Sequence, residues 1–82
     1  MRFVFSKDNR RNTEAVALDK RLRLLRAYNG LKQYEVAEAL GIDRSTYAYY
    51  ELGRTRPDYE ILIRIADLYD VSIYFLLGLT DT

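Results

Sequence analysis

Apolar residues recur along this chain at helical spacing, in runs separated by turn-forming residues. Leu18, Leu22 and Leu25 stand at i, i+4 and i+7. They predict a first helix ending before Asn29-Gly30, its start capped by Thr13 or Asp19. Val36, Ala37 and Leu40 predict a second helix from Gln33 to Leu40, stopped by Gly41 in the left-handed conformation. Asp43 is a natural N-cap for a third helix at 44–52, which Gly53 ends. Pro57-Asp58 opens a fourth that runs to Tyr69. Its expected core face is Tyr59, Leu62, Ile65, Ala66 and Tyr69, with Ile61, Leu68 and Ile63 on the flanks. Asp70 takes the next left-handed position, and Ser72 caps a fifth helix whose Phe75 and Leu76 close the core. The pattern is all-α: five helices over residues 14–79, an arm at 1–13 and a tail at 80–82.

The middle pair is the most specific part of the pattern. Ala37 is small where a second helix must come close, and the connection Gly41-Ile42-Asp43 is short, so the two form a helix-turn-helix. On the third helix Tyr47 and Tyr50 share a face, with Arg44 and Glu51 at its margin, while Ser45, Ala48, Tyr49 and Leu52 lie opposite. The tyrosine side turns inward, towards the apolar face that the preceding helix offers. The outer face is small and mostly uncharged, a shape that suits the major groove of DNA.

Matching residues extend well beyond that pair. They are Arg26, Gly30-Leu31-Lys32-Gln33, Val36-Ala37, Leu40-Gly41-Ile42, Arg44-Ser45-Thr46, Tyr50-Glu51-x-Gly53, Pro57, Leu62, Ala66 and Val71-Ser72 through Leu76-Leu77. In this register, over residues 19–78, the chain resembles the Cro and phage-repressor family of lambda-repressor-like DNA-binding proteins. The resemblance implies a five-helix DNA-binding domain in which Arg26 pairs with Glu51, tying the first helix to the third. A half-buried glutamate there needs such a partner on physical grounds too. Three positions depart from the family pattern. Lys32 stands where a capping Ser or Thr is usual, Tyr47 where a β-branched aliphatic is usual, and Tyr49 where Arg, Lys or Gln is frequent. The last departure means that no relative's DNA sequence transfers to this chain.

Composition narrows the chemistry. With no Cys and no His among 82 residues, disulfide, zinc-finger and imidazole chemistry are excluded. No Asp-x-Asp-x-Asp-Gly run gathers the 12 carboxylates, so no metal or other cofactor and no small-molecule ligand is expected. No apolar run approaches the roughly 18 residues of a membrane span, and Phe3-Val4-Phe5 is too short for a signal sequence, so a cytoplasmic location is expected. The net charge of +1 hides an asymmetry. Residues 1–56 hold 12 Lys or Arg against 7 Asp or Glu, whereas residues 57–82 hold 1 against 5. One part of the chain therefore presents a basic face to an anionic partner.

These features assign roles. Arg44, Ser45, Ala48 and Tyr49 are candidate base contacts, and Lys32, Gln33, Thr46, Arg54 and Arg56 candidate phosphate contacts. A single helix reads few base pairs, so a homodimer on a palindromic site is expected. Its candidate pairing residues are Ile61, Leu68, Tyr74, Leu77, Leu79, Phe3 and Phe5. Within the arm, Ser6 to Asn12 reads as a frayed terminus, with a DNA-contacting basic arm or a dimer-pairing strand as alternatives. The leading function is a sequence-specific regulator, a small repressor, on double-stranded DNA. The alternative is a helix-turn-helix adaptor or antitoxin-like partner protein, with Tyr34, Tyr47, Tyr49 and Tyr50 as an aromatic contact patch. An enzyme is not expected, because no activated nucleophile or phosphate-binding loop is present.

Overall fold

The computed structural model describes residues 17–80. Five helices form its frame: α1 (Leu18–Tyr28), α2 (Gln33–Leu40), α3 (Arg44–Leu52), α4 (Tyr59–Tyr69) and α5 (Ile73–Leu76). They fall where the apolar periodicity predicts them, and no strand occurs among the described residues. The arm at 1–13 with Phe3 and Phe5, the candidate cap Thr13 and tail residues 81–82 lie outside the described residues. Asp19 does not cap α1. The residue ahead of the helix is Ala17, and Asp19 sits in the first turn, where a carboxylate favours the amide end of the dipole.

Three helices begin on a side-chain acceptor. Asp43 accepts from the Thr46 amide at 3.3 Å, Asp58 from Ile61 at 2.9 Å and Ser72 from Phe75 at 2.9 Å. Each bond satisfies an amide that a first helical turn otherwise leaves without a partner. Lys32 precedes α2 and has no acceptor to offer. That start is held from the other side, by Glu35 Oε1 accepting from the Lys32 amide at 2.8 Å. Gly41, Gly53 and Asp70 end their helices with φ of 75°, 76° and 56°. At Gly53 the positive φ is what favours glycine, and a Cβ there would in addition lie 3.0 Å from Asp19 Oδ2, close enough that the carboxylate would have to shift. Arg64 Nη1 donates to the Leu40 carbonyl at 3.1 Å and fastens α4 to the end of α2.

Every helix supplies the innermost core: Leu22 from α1, Val36 and Leu40 from α2, Tyr47 from α3, Ile65 from α4 and Leu76 from α5. The core is therefore shared by all five helices and not held within one pair. The stripe on α4 differs from the expected one. Ile61 is buried, whereas Tyr59 is 75 % exposed. The covered positions are Ile61, Leu62, Ile65, Ala66 and Tyr69, and Tyr59 lies about 90° from their centre on the helical wheel. Ile61 is thereby removed from the candidate pairing surface. Leu76 is fully buried, with Ile73 packed against the core, while Phe75 is only half-buried. No helix among the described residues is long and apolar enough to cross a membrane.

Candidate nucleic-acid interface

The candidate surface is made by the amino end of α2, the outer face of α3 and the turn after Gly53. Tyr47, wholly buried, and Tyr50, 8 % exposed, fix the rotation of α3 by packing edge to face with centroids 6.2 Å apart. That rotation leaves Arg44, Ser45, Tyr49 and Leu52 exposed and Ala48 half-buried. It also withdraws Tyr47 and Tyr50 from the aromatic patch that an adaptor would use. Only Tyr34 and Tyr49 of that set remain on the surface.

Behind α3 lies a buried charge. Glu51 is 2 % exposed, deeper than the half-buried position expected of it. Arg26 grips it in a fork, Nε donating to Oε2 at 2.6 Å and Nη2 to Oε1 at 3.0 Å, while Arg26 Nη1 donates to the Leu31 carbonyl at 3.0 Å. Burial pushes the Glu51 carboxyl upward, but the bonds from Arg26, aided by the nearby Tyr47 hydroxyl and Gln33, outweigh it and hold the group below its usual range. Arg26 is raised in turn by its bond to Glu51. The Tyr47 and Tyr69 hydroxyls lie buried beside this pair but off hydrogen-bonding geometry. Arg23 adds a donor to the Glu51 backbone carbonyl, a contact that helical periodicity gave no reason to expect.

Gln33 connects this buried pair to the surface. Its Nε2 donates to Glu51 Oε1 at 3.1 Å, and its Oε1 accepts from Arg44 Nη1 at 3.2 Å. The Arg44 guanidinium is therefore held at the entrance to the outer face, with most of its donors unused.

At the start of α3 the arrangement is different. Asp43 Oδ2 accepts from Ser45 Oγ at 2.9 Å and Thr46 Oγ1 at 3.0 Å, as well as from the Thr46 amide. These bonds, the Ser45 hydroxyl foremost, hold the Asp43 carboxyl below its usual range. Both hydroxyl protons are thus committed inward. Ser45 presents acceptor lone pairs outward, and Thr46 must leave Asp43 before it can donate to a phosphate. Arg54 places its guanidinium 5.9 Å from the Tyr49 ring centroid, a loose stack that steers both side chains. Lys32 and Arg56 are exposed and make no ion pair among the described residues.

The fold thus groups Gln33 with Arg44, Ser45 and Thr46 with Asp43, and Tyr49 with Arg54. Leu52, 62 % exposed, extends the outer face by one turn beyond Ala48. Among the pairing candidates within the described residues, Leu68, Tyr74, Leu77 and Leu79 are 37 %, 66 %, 43 % and 49 % exposed.

Residues 22–76 match a family model described as helix-turn-helix. The chain is 44 % identical over 62 residues to the uncharacterized HTH-type transcriptional regulator YobD of Bacillus subtilis strain 168, covering 76 % of this chain and 55 % of that protein. It is 36 % identical over 62 residues to the cryptic phage CTXphi transcriptional repressor RstR of Vibrio cholerae, covering 76 % of this chain and 56 % of that one. A crystal structure of a transcriptional regulator from Listeria innocua superposes with a TM-score of 0.72 at 41 % identity, covering 74 % of this chain and 57 % of the other. The chain spans about half the length of the curated relatives it matches.

Proposed function

This chain belongs to the Cro/C1-type helix-turn-helix family, and from that premise we propose that it is a sequence-specific transcriptional regulator that reads the major groove of double-stranded DNA with α3. The observation that carries the reading is the outer face of α3, mostly uncharged, with Ser45 and Ala48 short, Tyr49 and Leu52 exposed beyond them, and one arginine braced from behind by Gln33. A repressor is the form that the name of the Vibrio relative favours. Selection of bound duplexes from a random pool tests the reading. Recovery of no common sequence, together with retention that is indifferent to salt, overturns it in favour of an adaptor. Such a regulator works in the compartment that holds the DNA, which we read as the cytoplasm.

The roles divide by chemistry. Arg44, Ser45, Ala48 and Tyr49 face the bases, Arg44 as a fork for a guanine edge and Tyr49 towards a thymine methyl. Arg44→Ala relaxes preference at one base position and costs about 1–3 kcal/mol there. Gln33→Ala produces a weaker version of the same defect, because it removes the brace and leaves the reader. Selected-site sequencing of both variants checks the pairing, and unchanged preference at every position removes Arg44 from the role.

Lys32, Arg54 and Arg56, with the free amides at the start of α2, meet phosphates, and Thr46 joins them once its hydroxyl leaves Asp43, whereas the Gln33 side chain is taken up by Glu51 and Arg44 and leaves that role. Arg54→Ala or Arg56→Ala weakens specific and random duplexes alike and lowers the salt slope of binding by about one. A loss of discrimination with unchanged affinity for random DNA reassigns either residue to the bases.

The working form is a homodimer on a palindromic site, with two α3 helices one DNA turn apart, roughly 34 Å. Leu68, Tyr74, Leu77 and Leu79 supply the exposed apolar surface for pairing. Sedimentation with a palindromic duplex gives two chains per site. A one-to-one complex that gains nothing from a second half-site excludes the dimer.

A further inference from the structure

An open groove of about 670 Å³ runs between α1 and α5, lined by Lys20, Arg21, Leu24, Leu25, Tyr28 and Phe75. Its apolar walls are bare, with Leu24 69 % and Tyr28 89 % exposed. Arg21 lies across Phe75, its guanidinium carbon 4.5 Å from the ring centroid. The Nε of Arg21 is buried and has no hydrogen-bond partner among the described residues. A buried donor without an acceptor is unfavourable, so among the described residues the groove lacks an acceptor as well as an apolar cover. It faces away from the reading helix, because Arg23 and Arg26, which reach Glu51, project from the other side of α1.

We infer that the groove is the seat of the chain's own Phe3-Val4-Phe5. Residues 1–16 lead directly into α1, and Phe3 and Phe5 are the only aromatic residues among them. The 12 residue steps from Phe5 to Ala17 span up to about 40 Å. Tyr28, at the far end of the groove, is only about 16 Å along the helix from Ala17. The triplet therefore reaches every part of the groove with slack for a reversal. The three side chains are uncharged, so only the neighbouring Arg2 has to turn away from Lys20 and Arg21, and an extended segment brings the backbone carbonyl that Arg21 Nε lacks. The tether also selects this occupant over a second copy. A covalently attached segment acts at about a millimolar effective concentration, so weak apolar contacts have to offset only the ordering of the segment and not a bimolecular association.

Nuclear Overhauser spectroscopy on the full 82-residue chain tests this directly. The expected result is contacts from the Phe3 and Phe5 rings to the Leu24 and Leu25 methyls, independent of concentration and absent from intermolecularly filtered spectra of mixed-label samples. In the F3S/F5S variant the Leu24 and Leu25 methyls and the Arg21 Hε shift, while the Leu22 and Val36 methyls of the core stay in place. Contacts seen only between differently labelled chains overturn the inference in favour of a second copy. Absence of contacts in the unaltered chain, or groove signals indifferent to F3S/F5S, overturns it outright.

Discussion

Arg26→Ala lowers the unfolding free energy by about 3 kcal/mol, the lower end of what breaking a buried ion pair costs. The estimate follows from asymmetry within the pair. Glu51 has a side chain only 3 % exposed, so without Arg26 it stays in the protein with Gln33 as its remaining side-chain donor. The Arg26 side chain is 23 % exposed, and water entering its place relieves part of the penalty. Urea unfolding measures the loss. A melting temperature that does not move while DNA binding disappears makes Arg26 a contact residue instead. The pH dependence supplies a second signature. In the unaltered chain the folded-state pKa of Glu51 is depressed, so its stabilising contribution is present above the ordinary glutamate value of about 4.3 and is lost as pH falls through the folded value. In Arg26→Ala burial has no strong opponent and the folded-state pKa rises above the ordinary value. The contribution of Glu51 then reverses sign, and the variant loses stability as pH rises through that range.

Tyr47→Ala costs about 3–5 kcal/mol, because it empties a wholly buried ring from the centre of the core and strips α3 of the packing that sets its rotation. Tyr47→Phe keeps the ring and removes only a hydroxyl that lies off hydrogen-bonding geometry, so it is expected to be near neutral. Denaturant melts of the two variants separate packing from polarity. A Phe variant as weak as the Ala variant places the hydroxyl in a bond to Glu51 and makes the polar interaction the dominant one. Burial pushes the Tyr47 phenol strongly upward, so it remains neutral throughout the range in which the domain works.

Local punctuation made most of the frame legible from sequence. Asp43, Asp58 and Ser72 have short acceptors that reach the amide three residues on, and Gly41, Gly53 and Asp70 tolerate positive φ, so the ends of α2, α3 and α4 could be placed without knowing what packs on them. Phase on a helical wheel was less informative, since it orders positions around an axis and leaves open which of them a neighbour covers. Tyr59 and Ile61 exchanged expected roles for that reason: at the first turn of α4 none of the described residues covers Tyr59, which is 75 % exposed. The outer face of α3 was legible because Tyr47 and Tyr50 had only one way to turn. The side-chain bonds within the candidate site were not. Ser45 and Thr46 looked like free hydroxyls, and only their distances to Asp43 show that the cap has claimed both. Gln33 looked like a phosphate ligand, and its bonds to Glu51 and Arg44 depend on an approach of α2 to α3 that no single-helix pattern encodes.

The chain of contacts from Arg26 through Glu51 and Gln33 to Arg44 bears on how such a domain can diversify. Tyr49 and Leu52 are exposed with no hydrogen bond into the core, so exchanging them leaves the melting temperature nearly unchanged, and under the proposed roles an exchange at Tyr49 alters base preference. Position 44 has no such independence. A new side chain there releases Gln33 and disturbs the solvation of a buried carboxylate, so its effects on specificity and stability arrive together and combine non-additively with changes at 33 or 51. Lineages descended from this sequence would therefore drift readily at 49 and 52, while a switch at 44 would succeed only alongside a compensating change behind it. The evolvable part of the recognition alphabet and the part welded to the scaffold lie on the same two and a half turns of helix.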